Sequence, residues 1–512
     1  MYLLIVFHNG GQFAYTQDAP YTHLALAENI VRGTYGLNAG EPASPSSSIL
    51  YPLLLALLSF LPIGQYSALV LCSLATLATA LLIHAVAREA RIEVDRLSSP
   101  QLAALTVTVT LAFNLAGLAF TGLEHSLHVT LTIASLLGML RFVQRRQVDW
   151  WWLVAITLLP LLRFEAVAAL AADMLLLTAF GKWRHALAIG LAGAAGVVAF
   201  GVFLHSLGLP WLPSSVLSRS EIASGSVELG RSGLFVLVHA VYAAFRANQM
   251  EYGGTLISAL IIAALWGLAR TGIPPRIDQR LWAKPVAVAF FVVIALAQLF
   301  GGSLNSFSRY EIYVLVLGFC SVLIAWQPQV NQALQRFSAL RCAGFCMAVL
   351  CLFAGYVVRT TDTVAAAGNV HDQQYQLNRF VVEYWRRPFA ANHPGWMNWR
   401  NPYYMAELSG LGSEDARKHG SSRDQVGNTE WLNQLARSHD VGLAILYDNA
   451  TPSPATDWQP VARLRLRGRV VSAVGPTVTF YATRPDAVAL IRRAVAGFAP
   501  TLPAGAAFEP PA

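Results

Sequence analysis

A helical, multi-pass membrane protein with an α/β domain at its C-terminal end is the fold class predicted by three observations in the 512-residue sequence. Apolar residues make up 55% of the chain and charged residues only 12%, about half the charged fraction of an ordinary soluble domain. The apolar residues arrive in blocks such as Tyr66 to Ala87, Val286 to Phe300 and Leu340 to Val358. Such blocks match or approach the ~20 residues that cross ~30 Å of hydrocarbon as helix. After Val358 the hydropathy falls, and the remainder carries 16 of the 36 basic residues. No alternating pattern suggests a membrane barrel.

Taken in order, the apolar blocks predict ten spans, near 66–88, 101–119, 125–143, 150–162, 166–180, 186–206, 255–270, 284–301, 310–326 and 340–358. Arg163 and Glu165, between the fourth and fifth, belong at a membrane surface. With this assignment fourteen basic residues fall on one side, in the loops around Arg88–Arg96, Arg141–Arg146, Lys182–Arg184, Arg270–Lys284 and Arg336–Arg341. The opposite connections hold six, namely Arg32, Arg163, Arg219, Arg231, Arg246 and Arg309. The richer side is cytoplasmic by the positive-inside rule, so the net charge of +8 reports loops facing anionic lipid rather than nucleic acid. The chain is expected in a bacterial inner membrane, with residues 359–498 as a periplasmic domain.

Three segments break the pattern. Ser48 to Ile63 is short, holds Pro52 and Pro62, and reverses the charge split if counted as a span. We read 48–63, 20–32 and 230–249 as outer helices along the membrane surface. Met1 to Phe7 is an apolar stub too short to span, without the basic region and cleavage site of a signal peptide. Parity requires a span there, so the chain is read as starting inside a truncated first helix. Residues 1–358 then form the membrane domain.

Within the polar domain the patterns predict a helix from Asp372 to Trp385, a strand near Phe389 to Asn392, a helix from Glu430 to Ser438 capped by Thr429, and a strand from Val441 to Tyr447. Strands near Val461 to Arg467 and Thr477 to Thr483 and a helix near Asp486 to Val495 complete a small α/β unit. Residues 499–512 read as a disordered tail. All five cysteines lie in apolar blocks and are expected to pack as small hydrophobes, without disulfides.

The polar groups of interest collect on the outer face. Asp18 precedes an amphipathic helix that opens with Pro20, a position where a carboxylate ordinarily serves as a helix cap. Three more clusters lie at outer helix ends: Thr121-Gly-Leu-Glu124-His125, Leu162-Arg163-Phe-Glu165 and Ser306-Phe-Ser-Arg309-Tyr310-Glu311. Each alone is an ordinary membrane-border group. Four on one face imply a shared site.

These motifs, in this order, resemble the GT-C membrane glycosyltransferases that use a polyprenyl-phosphate sugar, particularly the bacterial relatives of mycobacterial arabinofuranosyltransferases and mannosyltransferases. The resemblance also takes in the segment from Gly40 to Ser48, LPWLPSSVLSRS from Leu209, Gln373 to Phe380, Ala391-Asn-His-Pro-Gly395 and Leu408-Ser-Gly-Leu-Gly412. Two departures stand out. Ala19 occupies the place of a second acid, and His393-Pro394 stands where an acidic residue is common.

The resemblance implies transfer of a sugar from a polyprenyl-phosphate carrier to a glycan, lipid or protein acceptor of the cell envelope. Such transfer needs a base for the acceptor proton and cations for the departing phosphate. Asp18 is assigned as base, its pKa expected to rise by desolvation unless an arginine opposes it. Arg309 and Arg163 are candidates for the donor phosphate; their structural alternatives are headgroup anchors or ion pairs with Glu311 and Glu165. Glu124 has two open roles, holding a divalent metal or hydrogen-bonding the sugar. His125 and His128 fit helix packing better than ligation. His23 and Tyr21, with Glu165 and Tyr310, either contact substrate or fill the interface. Trp396, Trp399, Tyr403 and Tyr404 offer flat faces for sugar stacking or a small core.

Two rival readings belong to other classes. A transporter or flippase of lipid-linked sugars places charged or broken-helix sites at mid-bilayer and shows internal repeats; the sequence has neither. An envelope assembly scaffold leaves the membrane-border acids without a role.

Overall fold

The computed structural model describes residues 1–217, 233–271, 282–304, 307–421 and 429–510. Ser306, Arg219, Arg231, Arg276, Arg280 and the beginning of the 230–249 helix lie outside them. In chain order the first helices are α1 (Tyr2–His8), α2 (Ala19–Val31), α3 (Leu50–Leu58), α4 (Ser67–Glu89), α5 (Ser99–Ala112), α6 (Leu115–Phe120), α7 (His125–Arg145), α8 (Trp150–Leu162), α9 (Val167–Ala179) and α10 (Trp183–Ser206). They are followed by α11 (Gly233–Met250), α12 (Tyr252–Thr271), α13 (Ala283–Gly301), α14 (Ile312–Ala325), α15 (Gln327–Leu334), α16 (Ala339–Leu352), α17 (Ala354–Thr361) and α18 (Thr363–Val370).

Five of the described helices, α4, α7, α10, α12 and α13, are long and apolar enough to cross a membrane. The bent pairs α14/α15 and α16/α17, angled at 78° and 82°, raise the number to seven at most. This is a multi-pass helical membrane protein, but its count differs from the ten uninterrupted spans read from hydropathy. The expected 101–119 span breaks at Asn114, whose φ of 49° is left-handed and whose side chain accepts a hydrogen bond from Thr360 Oγ1 at 2.8 Å. The expected 340–358 span breaks at Phe353. Helices α8 and α9 have 13 residues each, about 20 Å of rise, so neither crosses alone.

Packing separates inner from outer helices. In α14, 11 of 14 residues are buried, and α7 is buried over 78% of its most apolar window against 22% for α4 and α10. The outward faces of the last two show Leu74, Leu77, Leu81 and Leu191 to the surroundings, an apolar belt suited to lipid. Helices α7 and α8 approach closely at Gly138, where a Cβ would lie 2.2 Å from Trp152 Cγ.

The basic loops meet at one end of the bundle. Arg145 pairs with Glu89 at 2.6 Å and Arg141 with the same carboxylate at 3.4 Å. The Arg91 carbonyl accepts from Gln327 and Asn331 of α15. Helix α5 starts there with a Ser98/Gln101 capping box.

At the other end lie α1 to α3 and a six-stranded sheet of order β2-β1-β3-β5-β4-β6, comprising β1 (Phe389–Ala391), β2 (Met405–Glu407), β3 (Leu443–Tyr447), β4 (Gln459–Leu466), β5 (Thr477–Ala482) and β6 (Ala506–Glu509). Strands β2, β1 and β3 are parallel, with Phe389 opposite Met405 and Leu443; the remaining pairs are antiparallel. Strand β3, LAILY, is buried throughout, as a central strand covered on both faces must be. One face packs on Leu377, Phe380, Ile491 and Phe498, the other on Leu432 and Ala436. The helix Glu430–Ser438 appears where expected, but Thr429 makes no side-chain cap bond. The expected disordered tail is instead partly ordered: β6 pairs with β4, with Leu464 opposite Phe508. Its short, Pro- and Ala-rich sequence hides the strand because pairing and the contacts of Phe508 with Phe480 and Phe498, at 5.3 and 6.3 Å, order it. All five cysteines are free.

Candidate active site

The carboxyl ends of the three parallel strands point at the start of α2. Asn392, just past β1, ties the ends together: its Nδ2 donates to the Tyr447 and Ala450 carbonyls and its Oδ1 accepts from Tyr447 N–H at 2.9 Å. The chain then turns through His393-Pro394-Gly395. Gly395 has φ of +123°, and a Cβ there would sit 3.0 Å from Asp18 Cβ. Only glycine admits both that backbone and that approach.

Asp18 precedes α2 but makes no cap bond with it. Its Oδ2 instead accepts a hydrogen bond from His393 Nε2, joining residues 375 positions apart. The capping role expected from sequence is therefore not the one it plays. Burial pushes the Asp18 carboxyl up, but the charge and hydrogen bond of His393, with Arg309 behind them, outweigh burial and hold it below its ordinary value. This reverses the direction expected from desolvation alone.

Asp18 opens onto a cavity of about 240 Å³. Helix α8 carries Pro160 near its end, and Arg163 follows in extended backbone at φ −148°, which turns its side chain into the cavity wall. There it binds Glu124 Oε1 at 2.8 Å and Glu165 Oε1 at 2.5 Å. His23 Nε2 lies 4.0 Å from Glu124 Oε2. Arg309 donates to Gln17 Oε1 at 3.0 Å and to the Tyr310 hydroxyl at 3.3 Å. The two guanidinium carbons lie 5.0 and 5.1 Å from the Tyr310 ring centroid.

The two arginines differ in charge balance. Arg163 meets two carboxylates. Arg309 is 5% exposed, and among the described residues no carboxylate lies within ion-pair distance of it. The expected alternative, a pair with Glu311, is not formed: Glu311 accepts from the Tyr356 hydroxyl at 2.9 Å. A buried cation without a counter-charge is costly.

Of the residues singled out in the sequence, Asp18, His23, Glu124, Arg163, Arg309 and Tyr310 line this cavity. Tyr21 and Glu165 do not. Tyr21 is fully buried, stacked on Trp396 at 3.7 Å with its hydroxyl accepting from Tyr15 N–H; Glu165 anchors Arg163 from outside. Trp396 and Trp399 are likewise buried, 2% and 5% exposed, and serve the interface core. His125 lines the wall against Tyr310 at 5.0 Å. Among the described residues no group of three or more His, Cys, Asp or Glu is placed to hold a metal ion. The residue that sequence reasoning left without a role is His393. Its signal was present as the one basic residue in Ala391-Asn-His-Pro-Gly395, but its partner lay at the opposite end of the chain. Pro45 and Ser47, Ser215 and Leu411 also reach the wall, so the segments quoted from 40–48, 209–220 and 408–412 all contribute.

Over 95% of its length the chain superposes on ArnT from Cupriavidus metallidurans, in the apo state and bound to undecaprenyl phosphate, with a TM-score of 0.50, 12% identity and 96% and 97% of those chains covered. The chain has the GT-C fold. A third structure, the mycobacterial arabinofuranosyltransferase AftD, matches at a TM-score of 0.43 and 14% identity over 94% of this chain and 41% of that one. Residues 367–481, which hold His393, β1 to β4 and all but the last residue of β5, match a family described as a domain of unknown function, DUF8728. No curated protein matches the sequence significantly.

Proposed function

We propose that this chain is a glycosyltransferase that moves a sugar from a polyprenyl-phosphate carrier to an acceptor hydroxyl on the periplasmic face of a bacterial inner membrane. The carrying observation is the cavity in which a carboxylate, Asp18, and a buried guanidinium held by no ion pair among the described residues, Arg309, face one space. The fold shared with an undecaprenyl-phosphate-bound ArnT supports the choice of carrier. The basic loops at the far end of the bundle support the orientation.

In this reading the acceptor oxygen attacks the anomeric carbon, the bond from that carbon to the phosphate oxygen breaks, and the polyprenyl phosphate departs with the electron pair. Asp18 takes the acceptor proton. His393 holds the carboxylate in place and ionised. Arg309 binds the phosphate, and its planar fork meets two oxygens at once. Arg163, already balanced by Glu124 and Glu165, sets the rim, while Glu124 and His23 face the sugar.

The test is consumption of donor by the purified full chain in nanodiscs, offered a panel of polyprenyl-phosphate sugars. Release of polyprenyl phosphate from one of them supports the reading. An inert panel, with radiolabelled lipid carried across the bilayer, would favour the flippase.

A further inference from the structure

A second polar cavity, of about 350 Å³, lies on the same helix as Asp18, within the size range of about 300 to 1,000 Å³ typical of small-molecule sites. Residues 22, 25, 29 and 32 of α2 and its cap are spaced by three or four and share one face. Thr22 lines the first cavity; Ala25, Asn29 and Arg32 line the second. The walls also meet: Leu411 lines the first, Leu37 lines the second, and Leu37 packs against Gly412 so closely that a Cβ there would lie 2.5 Å from its Cδ1. From Asp18 to Asn29 the helix rises about 16 Å, more than one sugar ring and the reach of a short oligosaccharide.

The lining of the second cavity combines amide, phenol and charged groups, the mixture of donors and acceptors that a polyol meets. Asn398 is 7% exposed, and its Nδ2 has no hydrogen-bond partner. A buried amide left unmet costs about 1 to 3 kcal/mol, so a small rotation of the Asn398 side chain toward a ligand acceptor in the cavity is favoured. Asn401 and Tyr403 add amide and phenol groups on the same wall, and an aromatic ring stacks on the apolar face of a sugar. Arg32 and Arg400 flank the Glu28 carboxylate at 3.9 and 3.5 Å, and guanidinium and carboxylate together offer donors and an acceptor to sugar hydroxyls.

We infer that this cavity is a remote acceptor subsite, which binds a saccharide residue several units from the hydroxyl presented at Asp18, and that the acceptor is therefore an oligosaccharide chain. This rests on the glycosyl-transfer reading above for the identity of the first cavity, but not for saccharide binding in the second.

The test is saturation-transfer NMR on the full chain in nanodiscs with fragments of bacterial mannan, galactan, rhamnan and arabinan, from monosaccharide to hexasaccharide. In at least one series the longer fragments should bind about tenfold more tightly than the monosaccharide. Asn398→Leu should remove that advantage, and so should Tyr403→Ala, whose partly exposed side chain can be trimmed without opening the core. Binding independent of length in every series, or an advantage kept by both variants, would overturn the subsite. Transfer activity without length dependence would sink this inference alone; length-dependent binding in a chain that consumes no polyprenyl-phosphate sugar would sink the transfer reading alone.

Discussion

Replacing Asp18 by asparagine separates chemistry from structure because the geometry assigns the side chain so few structural duties. It makes no cap bond with α2, and its one side-chain partner is His393 Nε2. Asparagine Oδ1 can accept that same hydrogen bond at nearly unchanged volume. What is lost is charge assistance, the difference between about 1.5 to 3 and about 0.5 to 1.5 kcal/mol for charged and neutral hydrogen bonds. Removing a carboxylate that is mostly withdrawn from water partly offsets this, leaving a net stability change within about 1 kcal/mol. An amide does not take a proton at neutral pH, and loss of a general base costs about 100- to 10,000-fold in rate, or about 3 to 5 kcal/mol in the barrier. The rate effect therefore exceeds the stability effect. The assay follows release of polyprenyl phosphate from labelled donor in nanodiscs, beside a melting curve of the same preparation. Transfer at the parent rate by a correctly inserted variant would refute the mechanism and move the role of base to Glu124.

His393→Gln keeps a donor toward Asp18 but removes the positive charge. Burial then acts with less opposition, the Asp18 carboxyl shifts up, and the acid limb of the rate profile should move to higher pH; an unmoved limb would mean that His393 does not tune the base. The stability that the lowered Asp18 pKa contributes is present above the ordinary carboxylate value and lost as pH falls through the lowered one, so the parent should also hold its melting temperature further into acid than the variant. Arg309→Lys keeps the charge and loses the two-pronged contact, so donor binding should weaken by about tenfold, the equivalent of one hydrogen bond to a charged group, with equal affinity counting against a phosphate role. Single cysteines at Arg145 and Ser438 should label from the cytoplasmic and external sides respectively, and labelling of both from one side would invalidate the orientation.

Sequence reasoning placed the residues that line the first cavity better than it placed the spans. Asp18, Glu124, Arg163 and Arg309 were legible because each sits at the end of an apolar block, where hydropathy marks the membrane surface. Strands β1, β3, β4 and β5 were legible as apolar runs of strand length between polar turns, whereas β2, three residues long, was not. Span count was not, because the breaks at Asn114 and Phe353 depend on tertiary contacts such as the Asn114–Thr360 hydrogen bond rather than on composition. Strand β6 and the direction of the Asp18 shift were hidden for a related cause. Each is set by a partner distant in sequence, Leu464 opposite Phe508 in one case and His393 in the other.

The contact between Asp18 and His393 gives the chain an order of events. Asp18 leaves the ribosome well before the residue that orients it, which follows 375 positions later. A nascent chain thus carries its acid without the histidine that lowers its pKa, and β3, whose Tyr447 backbone anchors Asn392, is made later still. The Asp18–His393 pairing is therefore complete only once the sheet that carries His393 has formed.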